Sequence, residues 1–286
     1  MRTCAFCATG WQPPWLPDSF LHHDHPTVGT GLAPLPFRRQ DAPMKSIALF
    51  SVKGGVGKST LAVNLAHAAA TQGGRRTLLW DLDAQGAATW LLQRESPPKL
   101  RARDAFAEQD TPAGLILHTD FPNLHILPAD RSLRRLEGDL ARDDRAKIIR
   151  RKLKAFTDGY DRILIDCPPG LSELADRVFR AADLLVMPAL PSPLSGRATE
   201  QLREELLRNH KGTPPILPVW NMADLRRRLH RETVATRPDW PLIPYSAAVE
   251  QMSVHRAPIA AFQPAGAPAR AFAALWAEVE AALLRS

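Results

Sequence analysis

At 286 residues, with 45% hydrophobic and 23% charged residues, the chain is long enough to bury a core and has the composition of an ordinary globular protein. No run approaches the roughly 18 apolar residues of a membrane-spanning helix. Three cysteines, Cys4, Cys7 and Cys167, exclude a disulfide framework and make a reducing cytoplasm the expected compartment. The net charge of +7 points to a polyanionic partner.

Residues 1–43 differ from the rest, with seven prolines and no helical or alternating apolar period. Cys4 and Cys7 have zinc-knuckle spacing, and His22, His23 and His25 follow. Only two residues separate His22 from His25 and no apolar core lies between the pairs, so zinc is not expected. The segment reads as a disordered leader, or as upstream sequence ahead of a true start at Met44. Three Arg and three Asp cancel within it, so the positive excess belongs to residues 44–286.

From Met44 onward, short apolar runs alternate with amphipathic stretches. Residues 46–52 (SIALFSV) read as a buried strand, followed by a glycine turn and a helix from Lys58 to Gln72. Further strands are expected at 76–81 (RTLLWD), 123–130 (NLHILPAD) and 161–167 (DRILIDC). A helical region rich in Arg and Lys separates the last two. Strands at 183–189 (DLLVMPA) and 214–221 (PPILPVWN) flank a helix at 195–210. A last helix, 267–284, carries Phe272, Leu275, Trp276, Val279 and Leu283 on one face. Continuous apolar strands with helices between them predict an α/β fold, a mostly parallel sheet with helices on both faces.

The turn KGGVGKST, Lys53–Thr60, lies between strand and helix, as a phosphate cradle requires. Gly54, Gly55 and Gly57, with Val56 among them, let backbone N–H groups converge on phosphate oxygens without a Cβ in the way. Lys58 is placed to reach the β- and γ-phosphates, the Ser59 hydroxyl to ligate Mg²⁺, and Thr60 to meet the α-phosphate. The generic pattern has its first glycine where Val52 stands, and it has no use for Lys53.

That departure resembles the deviant phosphate loop of the ParA/MinD family of P-loop ATPases, and the resemblance spans about 44–284. It implies a three-layer fold, ATP and Mg²⁺ as ligands, and a homodimer formed on ATP. Lys53 would act in trans on the nucleotide of the partner subunit, and Lys58 in cis. The segment 81–89 (DLDAQGAAT) is similar to the family's D-x-D-P-Q-G-N, making Asp83 the residue that orients the attacking water or joins the metal shell; Asp81 is expected to cap the turn. The segment 160–170 (YDRILIDCPPG) resembles the second Mg²⁺-binding strand, with Asp166 at its end. Cys167 reads as a small filler. Segment 181–195 resembles another family motif, with Ser195 where an Asp is usual. Asn221 matches the residue that reads the adenine edge, with a helix cap or turn as the competing role.

The same resemblance implies slow ATP hydrolysis used as a timer, stimulated by a ParB-like or adaptor protein, to partition or position a cargo. Nonspecific DNA would serve as the matrix, with Arg226, Arg227 and Arg231 as contacts and the nucleoid as the ATP-bound location. A second basic run, Arg145, Lys147, Arg150, Arg151, Lys152 and Lys154, reads better as a solvated helix face. A MinD-like membrane positioner is less favoured, because the last helix carries acidic residues and an apolar stripe suited to packing. A synthetase of the cobyrinate or dethiobiotin type would need neither Lys53 nor a DNA surface. The first 43 residues are too short and proline-rich for a helix-turn-helix domain, so operator binding is not expected.

Overall fold

The computed structural model describes residues 43–93, 101–106, 112–140, 147–209 and 213–285, which fall in one compact unit, Ala42–Ser286. The cysteine–histidine cluster of the leader and Arg145 lie outside the described residues.

Eight strands form one sheet in the order β3-β4-β2-β5-β1-β6-β7-β8. They are β1 (Lys45–Leu49), β2 (Thr77–Asp81), β3 (Leu117–His118), β4 (Leu124–Leu127), β5 (Arg162–Asp166), β6 (Leu184–Ala189), β7 (Ile216–Ala223) and β8 (Leu242–Pro244). Every pairing is parallel except that of β3 with β4. The register decides where chemistry can occur: Leu49 and Asp81 both pair with Asp166, so β1, β2 and β5 end side by side.

Successive strand residues face opposite sides, and the two sides have separate cores. Ile47, Leu49, Leu79, Leu164 and Val186 pack under helices α1 (Lys58–Thr71) and α11 (Ala267–Arg285). Ala48, Phe50, Trp80, Ile163 and Ile165 pack on the other side with α3 (Leu133–Leu140), α4 (Ile148–Ala155) and α5 (Glu173–Phe179). Helix α1 is buried on almost every face, which explains its alanine-rich, weakly amphipathic sequence. The expected stripe on α11 is buried throughout.

Sequence reading missed the two short edge strands β3 and β8. It also missed α2 (Ala87–Leu92), α7 (Arg228–Ala235) and the one-turn helices α8 (Ala247–Glu250), α9 (Met252–His255) and α10 (Ile259–Phe262). Each is too short for a hydrophobic period to register. The basic run at 147–154 does not present one solvated face. Lys152 is buried in α4 with Ile148, Ile149 and Leu153, while Arg150, Arg151 and Lys154 are exposed.

Polar links also bind the sheet. Arg162, at the start of β5, donates through Nε (2.8 Å) and Nη2 (2.7 Å) to the two carboxylate oxygens of Glu280 on α11. His125 of β4 meets the Tyr160 hydroxyl through Nδ1 at 2.7 Å, and burial, with His118 beside it, lowers its pKa to about 4.

Glu280→Ala leaves the buried Arg162 guanidinium short of two charge-assisted bonds, so it is expected to cost about 1.5–3 kcal/mol in denaturant unfolding. The His125 linkage has a definite sign. The fold prefers the neutral ring, so its contribution is complete above the unfolded pKa of about 6.5 and is lost as pH falls towards 4. The stability advantage of the wild type over His125→Gln should therefore shrink between pH 7.5 and pH 5, as read from urea midpoints.

Candidate nucleotide site

The loop between β1 and α1 combines a strand end, three glycines and a helix start. Gly55 and Gly57 adopt φ of +76° and +85°, the left-handed region that favours glycine. Gly57 caps α1 without a side-chain hydrogen bond, and the first turn carries no acidic residue. The backbone N–H groups of this helix start therefore remain favourable to an anion.

The two lysines diverge. Lys58 is buried, with Nζ 3.2 Å from Asp166 Oδ1 and 3.8 Å from Asp83 Oδ2. Burial alone would lower its pKa, but Asp166, aided by Asp83, carries it above the ordinary lysine value, so the ammonium stays charged. Lys53 is exposed; Ser51 Oγ donates to its carbonyl at 2.9 Å.

Asp166 has no accessible surface. Burial raises its pKa, with Lys58 and then the Ser59 hydroxyl opposing. Its Oδ2 makes no hydrogen bond of normal geometry among the described residues. Asp81 is also fully buried and does cap the turn: Oδ2 accepts from Thr89 N (2.9 Å) and Oγ1 (2.8 Å), and Oδ1 from Asp83 N (3.1 Å). Burial and the Asp166 charge push its carboxyl well above the usual range. Asp83 is half-buried, and its Oδ1 accepts from Gln85 N at 2.9 Å.

These groups fit a divalent cation. Among the described residues no three His, Cys, Asp or Glu side chains cage a metal unaided. Mg²⁺, however, is typically held by one or two carboxylates with water and substrate phosphate. Asp166 with its unpaired oxygen, half-buried Asp83 and Ser59 supply that donor set, in a cluster with more carboxylates than ammonium groups.

The loop is tied to its neighbours through the backbone. Gly170 N donates to Ser51 O at 3.3 Å, which joins the Pro168-Pro169-Gly170 turn to the phosphate loop. Ser172 then caps α5. Cys167 is fully buried and its thiol is pushed up by burial, so it is a filler rather than a nucleophile. Ser195 accepts from Leu190 N at 3.1 Å. Asn221 is placed against the loop: Nδ2 donates to Val56 O at 2.7 Å.

The arginines after β7 lie on the surface. Arg226 forms a two-pronged ion pair with Asp224, Nε to Oδ1 at 2.8 Å and Nη2 to Oδ2 at 3.1 Å. Arg231 Nη1 donates to the carbonyls of Leu225 and Arg226. Arg227 is exposed at the start of α7.

Sequence reasoning missed an apolar rim around the site. Val52, Leu171, Leu194 and Leu225 are all exposed, and they follow the carboxyl ends of β1, β5, β6 and β7. In a parallel sheet those ends share one edge, where ligands bind. A separate cleft of about 540 Å³ opens between α6 (Pro193–Asn209) and α7 near Trp220 and Trp240 and includes none of the expected site residues.

Residues 44–215 match the family model described as an AAA domain. The sporulation initiation inhibitor protein Soj of Bacillus subtilis is 29% identical over 250 residues, covering 83% of this chain and 98% of Soj. The chromosome partitioning protein ParA of Caulobacter vibrioides is 34% identical over 150 residues, 51% of this chain. There the match spans about half the relative's length, 56%. An ATP complex of McdA from Cyanothece shares the fold, with a TM-score of 0.72 and 21% identity over 85% of this chain and 97% of that one. With the glycine loop, Lys58 and Asp166 on one sheet edge, and the family model matching more than half of the sequence, this chain belongs to the ParA/MinD family of P-loop ATPases.

Proposed function

We propose that residues 44–286 act as a dimerising ATPase, which hydrolyses ATP slowly to ADP and phosphate as a timer for partitioning or positioning a cargo on nonspecific DNA. The observation that carries this reading is the divergence of two lysines in one loop. Lys58 is buried among its own carboxylates, whereas Lys53 is exposed and available to a triphosphate held by a second copy. The apolar rim of Val52, Leu171, Leu194 and Leu225 is surface that a face-to-face dimer would cover.

In this reading the backbone N–H groups of Gly54–Gly57 and the start of α1 bind the phosphates, and Lys58 neutralises the β- and γ-oxygens. Mg²⁺ held by Ser59, Asp83 and Asp166 would draw charge from the phosphate oxygens. Asp83 orients the attacking water. Lys53, arriving only in the dimer, stabilises the negative charge of the transition state, as an arginine finger does. An activating partner of ParB or adaptor type would speed that step.

Partitioning on DNA is favoured over a membrane because the apolar face of α11 is buried in the core. Among the described residues no helix is long and apolar enough to cross a membrane. A small-molecule synthetase would leave both Lys53 and the apolar rim without a role.

Lys53→Ala and Asp83→Ala should each retain ATP binding, measured by titration calorimetry, while losing most phosphate release. Lys58→Ala should lose binding itself. Unchanged turnover in Lys53→Ala would sink the trans assignment. For DNA, the double charge reversal Arg226→Glu with Arg227→Glu should abolish ATP-dependent retention of duplexes of any sequence. Wild-type retention should fall steeply between 50 and about 200 mM salt. Equal DNA affinity in wild type and variant would remove those arginines from the interface.

A further inference from the structure

The carboxyl end of β7 is irregular. Trp220 pairs with Leu242 and Ala223 with Pro244, so β7 carries one residue more than β8 between the two pairs. Met222 takes up the excess with φ of +57°, a backbone conformation uncommon for a residue with a side chain. In a regular strand, neighbouring side chains point to opposite faces. Here both Asn221 and Met222 reach the same glycine. A Cβ on Gly57 would collide with Asn221 Nδ2 and lie 2.9 Å from Met222 Cε.

Asn221 and Val56 are 3% and 2% exposed, and the hydrogen bond between them is 2.7 Å long. Because the acceptor is a carbonyl, the Asn221 atom facing it must be the amide nitrogen. The chain has no cis peptide among the described residues, and in a trans peptide the C=O and N–H point to opposite sides. Holding Val56 C=O towards β7 therefore turns Gly57 N–H away from β7, to the opposite side of the loop.

We infer that Asn221 is a positioning residue for the phosphate loop. Its amide fixes the Val56–Gly57 peptide so that an N–H, and not a carbonyl oxygen, is presented to the anion. The inference rests on the reading of this loop as the triphosphate site. It puts the effect of Asn221 at the phosphate end of the nucleotide, whereas the family resemblance implies the base end.

The test separates those ends. ATP, GTP and inorganic tripolyphosphate are titrated with Mg²⁺ into the full chain, as wild type, Asn221→Ala and Asn221→Asp, well below each unfolding midpoint. The alanine leaves the Val56 carbonyl without its donor, and the aspartate sets acceptor against acceptor. Both variants should lose affinity for ATP and for tripolyphosphate by the same factor, about tenfold to a hundredfold, with the ATP-to-GTP ratio unchanged. Retained tripolyphosphate affinity, with loss confined to ATP or to the choice between ATP and GTP, makes Asn221 a base reader and overturns the inference. Variant affinities equal to those of the wild type for all three ligands overturn it as well. Should neither Asn221 variant fold, Met222→Ala takes their place: it keeps the donor, removes the second side chain that reaches Gly57, and should weaken tripolyphosphate and ATP in parallel, whereas loss confined to ATP overturns the inference. A wild type that binds neither ATP nor tripolyphosphate would instead overturn the reading of the loop itself.

Discussion

One buried ammonium holds this site together. Lys58 lies between Asp166 and Asp83, at the edge where β1, β2 and β5 end in register. A carboxylate as buried as Asp166 is unstable in its charged form unless a cation compensates it. Lys58 supplies that cation, but it is one charge against Asp166 and Asp83, with Asp81 close enough to feel the Asp166 charge. The deficit of positive charge makes the edge receptive to a divalent ion. The converging N–H groups of the glycine loop supply the complementary preference for phosphate.

The loop is clamped through its neighbours' backbones and one side chain. Phe50 N binds Val186 O, Gly170 N binds Ser51 O, and Asn221 reaches Val56 O. Each bond joins the carboxyl end of a different strand to a segment at the same edge. The phosphate loop is thereby joined to the turn after β5 and to β7. Strand β7 runs directly into the arginine loop, where Asp224 grips Arg226 and Tyr245 N donates to Ala223 O. Asn221, which holds the phosphate loop, and the arginines thus belong to one continuous stretch of chain.

The arginines also limit what charge counting can say. Arg226 and Arg231 have the exposure and sign expected of a polyanion interface, yet Asp224 and two backbone carbonyls occupy some of their donors. A phosphate would compete with Asp224, whose carboxyl Arg226 holds below the usual range. Surface ion pairs of this kind are weakly held, so the exchange is energetically open.

The sequence by itself determined the layered sheet, because buried parallel strands must be continuous apolar runs and their connections must be helices. It also determined the phosphate loop, where glycine spacing and Lys58-Ser59 are local requirements met within eight residues. It located Asp81, Asp83 and Asp166 at strand ends, since an acidic residue closing an apolar run has few other places to go. Only the tertiary structure decided what is set by contacts between distant segments. These are the register that puts Asp166 beside Asp81, the bulge that turns Asn221 and Met222 onto Gly57, and the burial of Lys152 within a basic run. The short strands β3 and β8 and the apolar rim belong with them. A two- or three-residue strand has no period to read, and an exposed leucine or valine is ordinary until four strand ends place four such residues on one edge.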